Sequence, residues 1–410
     1  MSVKKYALSR RALIGGSGAA AFSAALGMPV PFARFLPEGL VPVAMAQDEG
    51  VPGRPGLIIH SDRPLNAETP VHLLNEAVTS AGRMFVRNNG LTPEFSEADI
   101  AGWRLAVDGE VETPLELSID NLRRDFEQVT LQLQIECAGN GREFMSPAAR
   151  GNQWTFGAVS CAEWTGVRLA DILNRAGLKS TAVYTGHYGA DSHLSSDPAK
   201  DAISRGVPVA KAMEPHTIVA YAMNGADIPL LNGHPLRLVA PGWPGSCSQK
   251  WLTRIAVRDR EHDGEKMTGQ SYRVPAYPVA PGATVPDADM KIIESMPVRS
   301  IITAPQTGVR AAAGALIEAR GHAWAGDNSV ARMDVSIDFG ATWKEAALST
   351  PVNRYAWQHW TSEIRLPGPG YYEIWARATN NKGVSQPHTV VWNPKGYLNN
   401  AMHRVAVTVA

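Results

Sequence analysis

The sequence predicts an α+β domain followed by an all-β sandwich, and three observations carry that prediction. From Met84 to about Arg258, strand-like stretches such as "RLAVDGEV", "VTLQLQIEC", "HTIVAYAMNGADIP" and "PLRLVAP" alternate with the helix-like "RLADILNRAG", which ends at Gly177. After Pro297, "ALIEARGHAW", "SVARMDVSIDFG", "WTSEIRLP", "YYEIWARATN" and "HTVVWN" are strand-length pieces separated by Gly, Pro, Asn and Asp turns. That is the pattern of a β-sandwich of about 100 residues. Between the two regions, residues 260–295 show no period and many Pro and Gly, and so read as a long connection. A chain of 410 residues with 44% hydrophobic content can bury two or three such cores.

Taken in order, residues 1–46 precede any fold. A basic start, the pair Arg10-Arg11 and a Gly/Ala-rich apolar stretch predict a bacterial twin-arginine export signal, with Ala44-Met45-Ala46 as the cleavage site and Gln47 as the mature start. A membrane anchor fits less well, because glycines and then Pro29 and Pro31 interrupt the apolar stretch, and nothing later in the chain reads as a membrane span. Removing residues 1–46 leaves 34 basic and 38 acidic side chains, a net charge of about −4. Neither this balance nor the neutral full chain points to nucleic acid. Residues 47–80, containing "RPLNAETP", read as an extended arm; the first domain is placed at 81–285 and the second at 297–410. Trp324, Trp343, Trp357, Trp360 and Trp375 all fall in the second domain and read as core and interdomain packing.

The chain has three cysteines, Cys137, Cys161 and Cys247, so at least one is unpaired within it. Their spacing gives neither a Cys-x-x-Cys-His haem site nor a zinc pair. Cys137 closes a strand in which Val129, Leu131, Leu133 and Ile135 occupy the same face, so its sulfur points where the core residues point. The run Ala138-Gly139-Asn140-Gly141 then turns the chain and would leave space beside the sulfur. A buried thiol can be mere packing. Yet Arg87 in "FVRNNG", Arg142, Arg237 in "HPLRLVAPGW" and Lys250 in "SQKWL" each flank a turn. Guanidinium forks match an oxyanion or phosphate, and a cationic surrounding favours thiolate, a soft ligand for a redox-active metal.

The segments "FVRNNG", "ECAGNGR", "WTFGAVSCAEWTGVRL", "VAYAMNG", "LRLVAPGWPGSCSQKWL" and "GHAWAGDNSVARMDVSIDFGATW" resemble, in order, those of the sulfite oxidase family of molybdenum enzymes. The resemblance runs from about residue 55 to the C-terminus and is nearest to bacterial exported sulfite dehydrogenases without a haem domain. It implies an α+β molybdopterin-binding domain of the sulfite oxidase fold and an immunoglobulin-like dimerisation sandwich. It further implies oxidation of sulfite to sulfate at a mononuclear molybdenum held by one molybdopterin and by a single cysteine, matched by Cys137. Arg87 and Arg142 match the arginines of the oxyanion pocket, Trp154 a tryptophan of its wall, and Tyr272 the active-site tyrosine, with Tyr277 close by. Arg237, Ser248 and Lys250 match groups that bind the pterin and its phosphate; Asp191 is a further candidate contact.

Three positions depart from the family pattern. Asn89 stands where many members have histidine, Asn232 replaces a second histidine, and Cys247 stands where animal enzymes carry arginine, removing charge near the substrate path. With no haem implied in this chain, electrons would leave singly to a periplasmic c-type cytochrome, and the sandwich would make a homodimer. Three rival readings stand beside this one. A sulfane dehydrogenase of a thiosulfate-oxidising complex tends to read Cys-Ala-Ala-Asn-Gly instead of Cys137-Ala138-Gly139-Asn140-Gly141. A sulfoxide or nitrogen-oxide reductase usually lacks the terminal sandwich. A non-catalytic exported binding protein would leave the arginines, the lone cysteine and the export signal unrelated.

Overall fold

Gln128–Glu136 forms the strand that the alternation predicts, at the edge of a five-stranded sheet. The computed structural model describes residues 50–410, so the export signal proposed for residues 1–46 lies outside the described residues. Residues 50–55 close a turn in which the Arg54 N–H donates to Val51 O; the domains below belong to residues 56–410.

Gln128–Glu136 pairs antiparallel with Val159–Arg168 in one register from Gln128↔Val167 to Glu136↔Val159. Val159–Arg168 pairs in turn with Ile218–Met223, which pairs with Ala226–Asp227 and Arg237–Val239. The Ile218–Asp227 hairpin turns at Asn224 and Gly225, whose φ values of 53° and 75° suit a two-residue turn between twisted strands. A second five-stranded sheet runs Leu115–Leu117, Leu105–Gly109, Leu252–Arg258, Tyr184–Gly189, Gly206–Pro208. The stretch "RLADILNRAG" folds as the helix Leu169–Ala176. Its apolar face, Leu169, Ile172, Leu173 and Ala176, sits in the main core of the domain. Gly177 stops it at φ 71°, donating its N–H to Leu173 O at 3.0 Å.

Two segments are more ordered than the sequence suggested. Within the predicted arm, Leu65–Glu68 pairs with Ile58–Asp62 on one side and Val86–Arg87 on the other as a three-stranded sheet. Here backbone pairing decides, and side-chain periodicity is silent. The fully buried Glu68 carboxylate accepts from Thr155 N and Oγ1 and Gly157 N at 2.8–3.1 Å, fastening this sheet to the chain that leads into Val159–Arg168. The predicted connection contains the hairpin Arg273–Pro275 and Met290–Ile292.

The second domain is two sheets over one apolar core. One runs Arg299–Ala304, Leu316–Trp324, Gln358–Arg365, Ala347–Leu348; the other Val309–Ala311, His403–Val409, Gly370–Asn380, Val330–Ser336, Lys344–Glu345. Met333, Trp360, Ile374 and Val407 are among the residues that fill the space between them. Trp324 and Trp357 instead pack with Val159 and Cys161 of the first domain. Among the described residues no helix is long and apolar enough to cross a membrane.

The polar face of Gln128–Glu136 does not face water throughout. Only Gln128 and Thr130 are exposed; from Gln132 onward both faces are buried, because the second domain and, at Gln132, the chain around Ala77 cover the even positions. Asn353 donates to Gln132 O at 2.8 Å and Gln134 N–H to Tyr355 O at 2.9 Å. Glu136, 1% exposed, takes Arg299 Nη1 at 2.9 Å, Asn140 Nδ2 at 3.0 Å and Trp324 Nε1 at 2.7 Å. Breaking a buried pair strands its partner's charge at a cost of about 3–5 kcal/mol. Arg299→Met is therefore expected to lower unfolding stability by about that amount, measured by urea denaturation; a loss under about 1 kcal/mol would show that the pair does not carry the interface.

Candidate functional site

Cys137 follows the last residue of its strand and donates its N–H to Ala158 O at 2.9 Å. Asn140 fixes the turn beyond it: its N–H donates to Cys137 O at 2.9 Å, its amide oxygen accepts from Ala158 N at 3.2 Å, and its amide nitrogen donates to Glu136 and to Phe156 O. The glycines of this turn make room for protein groups and not directly for a cofactor, contrary to the expectation from sequence. A Cβ on Gly139 would stand 2.4 Å from Arg142 Nη2, and one on Gly141, at φ 83°, would stand 2.7 Å from Asn399 Nδ2.

The sulfur of Cys137 stands where two cavities meet, since it lines both. The first is lined by Arg87, Asn89, Asp191, Asn232, Arg237, Ser248, Lys250 and Tyr272, and also by Ser246, Gln249 and Trp251. All the cofactor-binding residues expected from the sequence therefore converge on it. The turn Pro244–Ser248 is pressed against the cysteine's strand: a Cβ on Gly245 would lie 3.0 Å from Glu136 O, and Pro244 bridges Glu136.

The second cavity is lined by Arg87, Arg142, Asn89 and Tyr272, and by Arg63, Arg150, Lys266 and Tyr397. No carboxylate is among its described lining residues. Arg87 ends the strand Val86–Arg87; it donates to Asn66 Oδ1 at 3.3 Å and Asn89 Oδ1 at 2.9 Å, and also bonds Asn88 O. Burial opposes its charge, but the Tyr272 phenol, the Cys137 sulfur and the Tyr397 phenol hold its pKa above the ordinary value. Arg142 is braced by carbonyls, Nε on Lys395 O and Nη1 on Asn152 O, both at 2.9 Å. Tyr272 Oη lies 3.3 Å from Asn89 Nδ2. Tyr277, its alternative in the sequence, is half exposed and donates to Asp289 at 2.7 Å, so Tyr272 is the cavity residue. Lys266 and Tyr272 sit at φ 65° and 52°, conformations that bulky side chains adopt only when their surroundings impose them.

Two expectations move. Trp154 lines neither cavity; it is fully buried in the apolar cluster that contains Cys137, edge-on to His60 at 4.7 Å. Cys247 also lines neither, lying in the main core of the first domain, where burial raises its thiol pKa. All three cysteines are free. Sequence reasoning missed Asn66, Arg150, Lys266 and Tyr397. Asn66 and Lys266 lie in the segments read as arm and connection, and Tyr397 lies in the second domain, with no local pattern to link it to Cys137.

The first cavity fits an anionic, multiply hydrogen-bonding group. Arg237 Nε, Ser246 Oγ, Gln249 Oε1 and Asp191 Oδ1 are all buried without a partner in the protein, and buried polar groups are rarely left so. Burial lowers the Arg237 pKa to about 9, which leaves it cationic at neutral pH. Burial pushes the Asp191 carboxyl up to about 6, against the pull of Lys250. Lys250 Nζ bonds Asn88 Oδ1 and donates to Leu231 O at 2.9 Å, placing a second cation on this wall.

Comparison with known proteins agrees with this chemistry. Residues 90–266 match the oxidoreductase molybdopterin binding domain, and residues 290–410 the Mo-co oxidoreductase dimerisation domain. The chain is 33% identical to sulfite oxidase of Gallus gallus over 364 residues, covering 86% of this chain and 78% of that protein. It is 35% identical to mitochondrial sulfite oxidase of Rattus norvegicus over 373 residues, covering 87% of this chain; the match spans 66% of the rat protein's length. Among solved structures, the sulfane dehydrogenase SoxCD of Paracoccus pantotrophus aligns with a TM-score of 0.70 and 27% identity, covering 92% of this chain and 96% of that one. The chain belongs to the sulfite oxidase family, and its cofactor is molybdenum held by molybdopterin.

Proposed function

We propose that the protein oxidises sulfite to sulfate, with Cys137 as the protein ligand of molybdenum and with Arg87, Arg142 and Tyr272 as the groups that receive the substrate. The observation that carries this reading is the position of Cys137 at the junction of a cavity lined by unpartnered polar groups and a cationic cavity. Arg237, Ser248, Lys250, Asp191, Asn232 and Asn89 would hold the pterin and its phosphate from the first cavity. Bound there, the centre supplies the two-electron redox chemistry; sulfite and water yield sulfate, two protons and two electrons.

The residues of the chain do the rest. Arg87 and Arg142 set two guanidinium forks on one cavity, a donor geometry matched to the oxygens of a small dianion. Their held positions mean that little reorganisation accompanies the change from a three- to a four-oxygen anion. Tyr272 and Asn89 form a neutral donor–acceptor pair beside Arg87 that can orient an oxygen without cancelling the positive field. Arg63, Arg150 and Lys266, on the same cavity, extend that field and favour entry of anions.

The electrons are proposed to pass singly to a periplasmic c-type cytochrome, the chain being exported through the twin-arginine signal read in residues 1–46 and paired as a homodimer through residues 290–410. A second reading, sulfane dehydrogenase, is supported by the likeness to the Paracoccus pantotrophus protein over 92% of the chain. The curated relatives at 33–35% identity favour sulfite.

Steady-state oxidation of sulfite and of thiosulfate, with cytochrome c or ferricyanide as acceptor and molybdenum quantified in the same preparation, tests the reading. Sulfite turnover proportional to molybdenum is expected; turnover of thiosulfate alone would replace it with the sulfane reading. Cys137→Ser is expected to remove turnover while changing stability by no more than about 1–2 kcal/mol, read by thermal unfolding; wild-type turnover in that variant would refute the ligand assignment. Arg142→Gln removes a charge-assisted contact and is expected to raise KM for sulfite about ten- to a hundredfold, with a smaller change in kcat. A fall in kcat alone would show that Arg142 does not bind the substrate.

A further inference from the structure

The substrate cavity is not built by the first domain alone. The segment Asn393–Asn399 of the second domain is fastened to the turn that carries Cys137 and Arg142. Leu398 N–H donates to Ala138 O at 2.9 Å, Asn399 Nδ2 to Gly141 O at 2.7 Å, and Arg142 Nε to Lys395 O at 2.9 Å. Gly396 sits at φ 62°, and a Cβ there would stand 2.6 Å from Arg142 Cγ, so the segment passes directly over the arginine's stem. Within it Asn393 clamps Tyr397 at both ends, accepting from Tyr397 N at 3.0 Å and donating to Tyr397 O at 2.8 Å.

The ring so fixed packs against two of the three groups assigned to the substrate, Tyr272 and Arg142. Tyr397 stacks on Tyr272 with centroids 5.6 Å apart and planes 13° from parallel, and the Arg142 guanidinium carbon lies 5.2 Å from the Tyr397 centroid. The Tyr397 hydroxyl lies 3.4 Å from the backbone nitrogen of Tyr272, as its acceptor, at the residue whose φ is 52°. Burial pushes the Tyr397 phenol up to about 12, with Tyr272 adding to the rise, so the hydroxyl is neutral and adds no negative charge to the cavity. The buried Arg205 extends the series, its guanidinium carbon 4.8 Å from the Tyr272 centroid.

We propose that Tyr397 is a positioning residue of the substrate cavity, by which the second domain holds Tyr272 and Arg142 in the geometry that binds the oxyanion. The inference rests on the sulfite oxidase reading for the identity of the substrate, but not for the stack itself. Offset aromatic stacking and a cation over a ring each contribute modestly, and together they correspond to about tenfold in the affinity of an anion that needs both groups in place.

The test uses molybdenum-loaded full-length protein and two readouts: KM and kcat for sulfite, and the dissociation constant of sulfate by calorimetry, which needs no turnover. Tyr397→Phe keeps the ring and loses the acceptor for Tyr272 N–H; both constants are expected within about threefold of wild type. Tyr397→Leu loses the ring, and both KM and the sulfate dissociation constant are expected to rise about tenfold, with kcat changing less. Should the leucine variant fail to accumulate, Tyr397→His, smaller and still planar, carries the same direction. Leucine or histidine variants within twofold of wild type in both constants would overturn the proposal, as would a phenylalanine variant as weakened as leucine. A wild-type protein that binds sulfate in this Tyr397-dependent way yet leaves sulfite unoxidised would sink the sulfite reading and leave the positioning role standing.

Discussion

The buried carboxylate of Glu136 is the constraint on which the rest of the site depends. It lies one residue before Cys137, and its two oxygens are taken by Arg299 and Trp324 of the second domain and by Asn140 of the turn that follows. A carboxylate so buried is tolerable only when its charge is paired and its lone pairs are used. Satisfying it therefore fixes three things together: the end of the cysteine's strand, the shape of the Ala138–Gly141 turn, and the seating of the second domain. Buried pairs of this kind need not add net stability, yet breaking one leaves an uncompensated charge, so their partners stay in place. What they specify here is where one sulfur points.

That placement divides the surroundings of the sulfur into two chemistries. On one side, unpartnered donors and acceptors, Arg237 Nε and Ser246 Oγ among them, face a space that water or a polar ligand must complete. On the other, Arg87, Arg142, Arg150 and Lys266 face a cavity with no described carboxylate on its lining. Concentrated like charge is unfavourable without an anion, and two of the guanidiniums are held in place by neutral acceptors: Asn66 and Asn89 for Arg87, the carbonyls of Asn152 and Lys395 for Arg142. The cost of assembling the charges is met during folding, before any substrate arrives, which is how a fixed field can act on a reacting anion without reorganising.

The sequence made legible what is local and periodic. The strand ending at Cys137, the helix closed by Gly177 and the paired sheets after Pro297 all announce themselves through side-chain spacing or turn chemistry. The residues that the resemblance assigns to the cofactor all line the first cavity. What stayed hidden depends on contacts distant in sequence. Gln132 and Gln134 look solvent-facing until the second domain covers them; Asn66 pairs with Arg87 only through a sheet that no periodicity signals; Tyr397 meets Tyr272 across 125 residues. Trp154 shows the converse failure, since a motif places a residue near a site without saying whether it faces the space or the core.

Asn89 shows why a departure from the family pattern need not disable such a site. Where many relatives are expected to carry an imidazole, this amide accepts from Arg87 Nη2 through its oxygen and offers its nitrogen to Tyr272 Oη. A neutral imidazole likewise has one acceptor and one donor, so either group can make these two bonds, although Lys266 Nζ, which also reaches Asn89 Oδ1 at 3.5 Å, would find no second lone pair on a ring nitrogen. The difference lies in titration: an imidazole can take up a proton near neutral pH, losing its acceptor and adding charge beside Arg87, whereas an amide cannot. At this position the exchange removes a pH-sensitive group from between the arginine and the tyrosine.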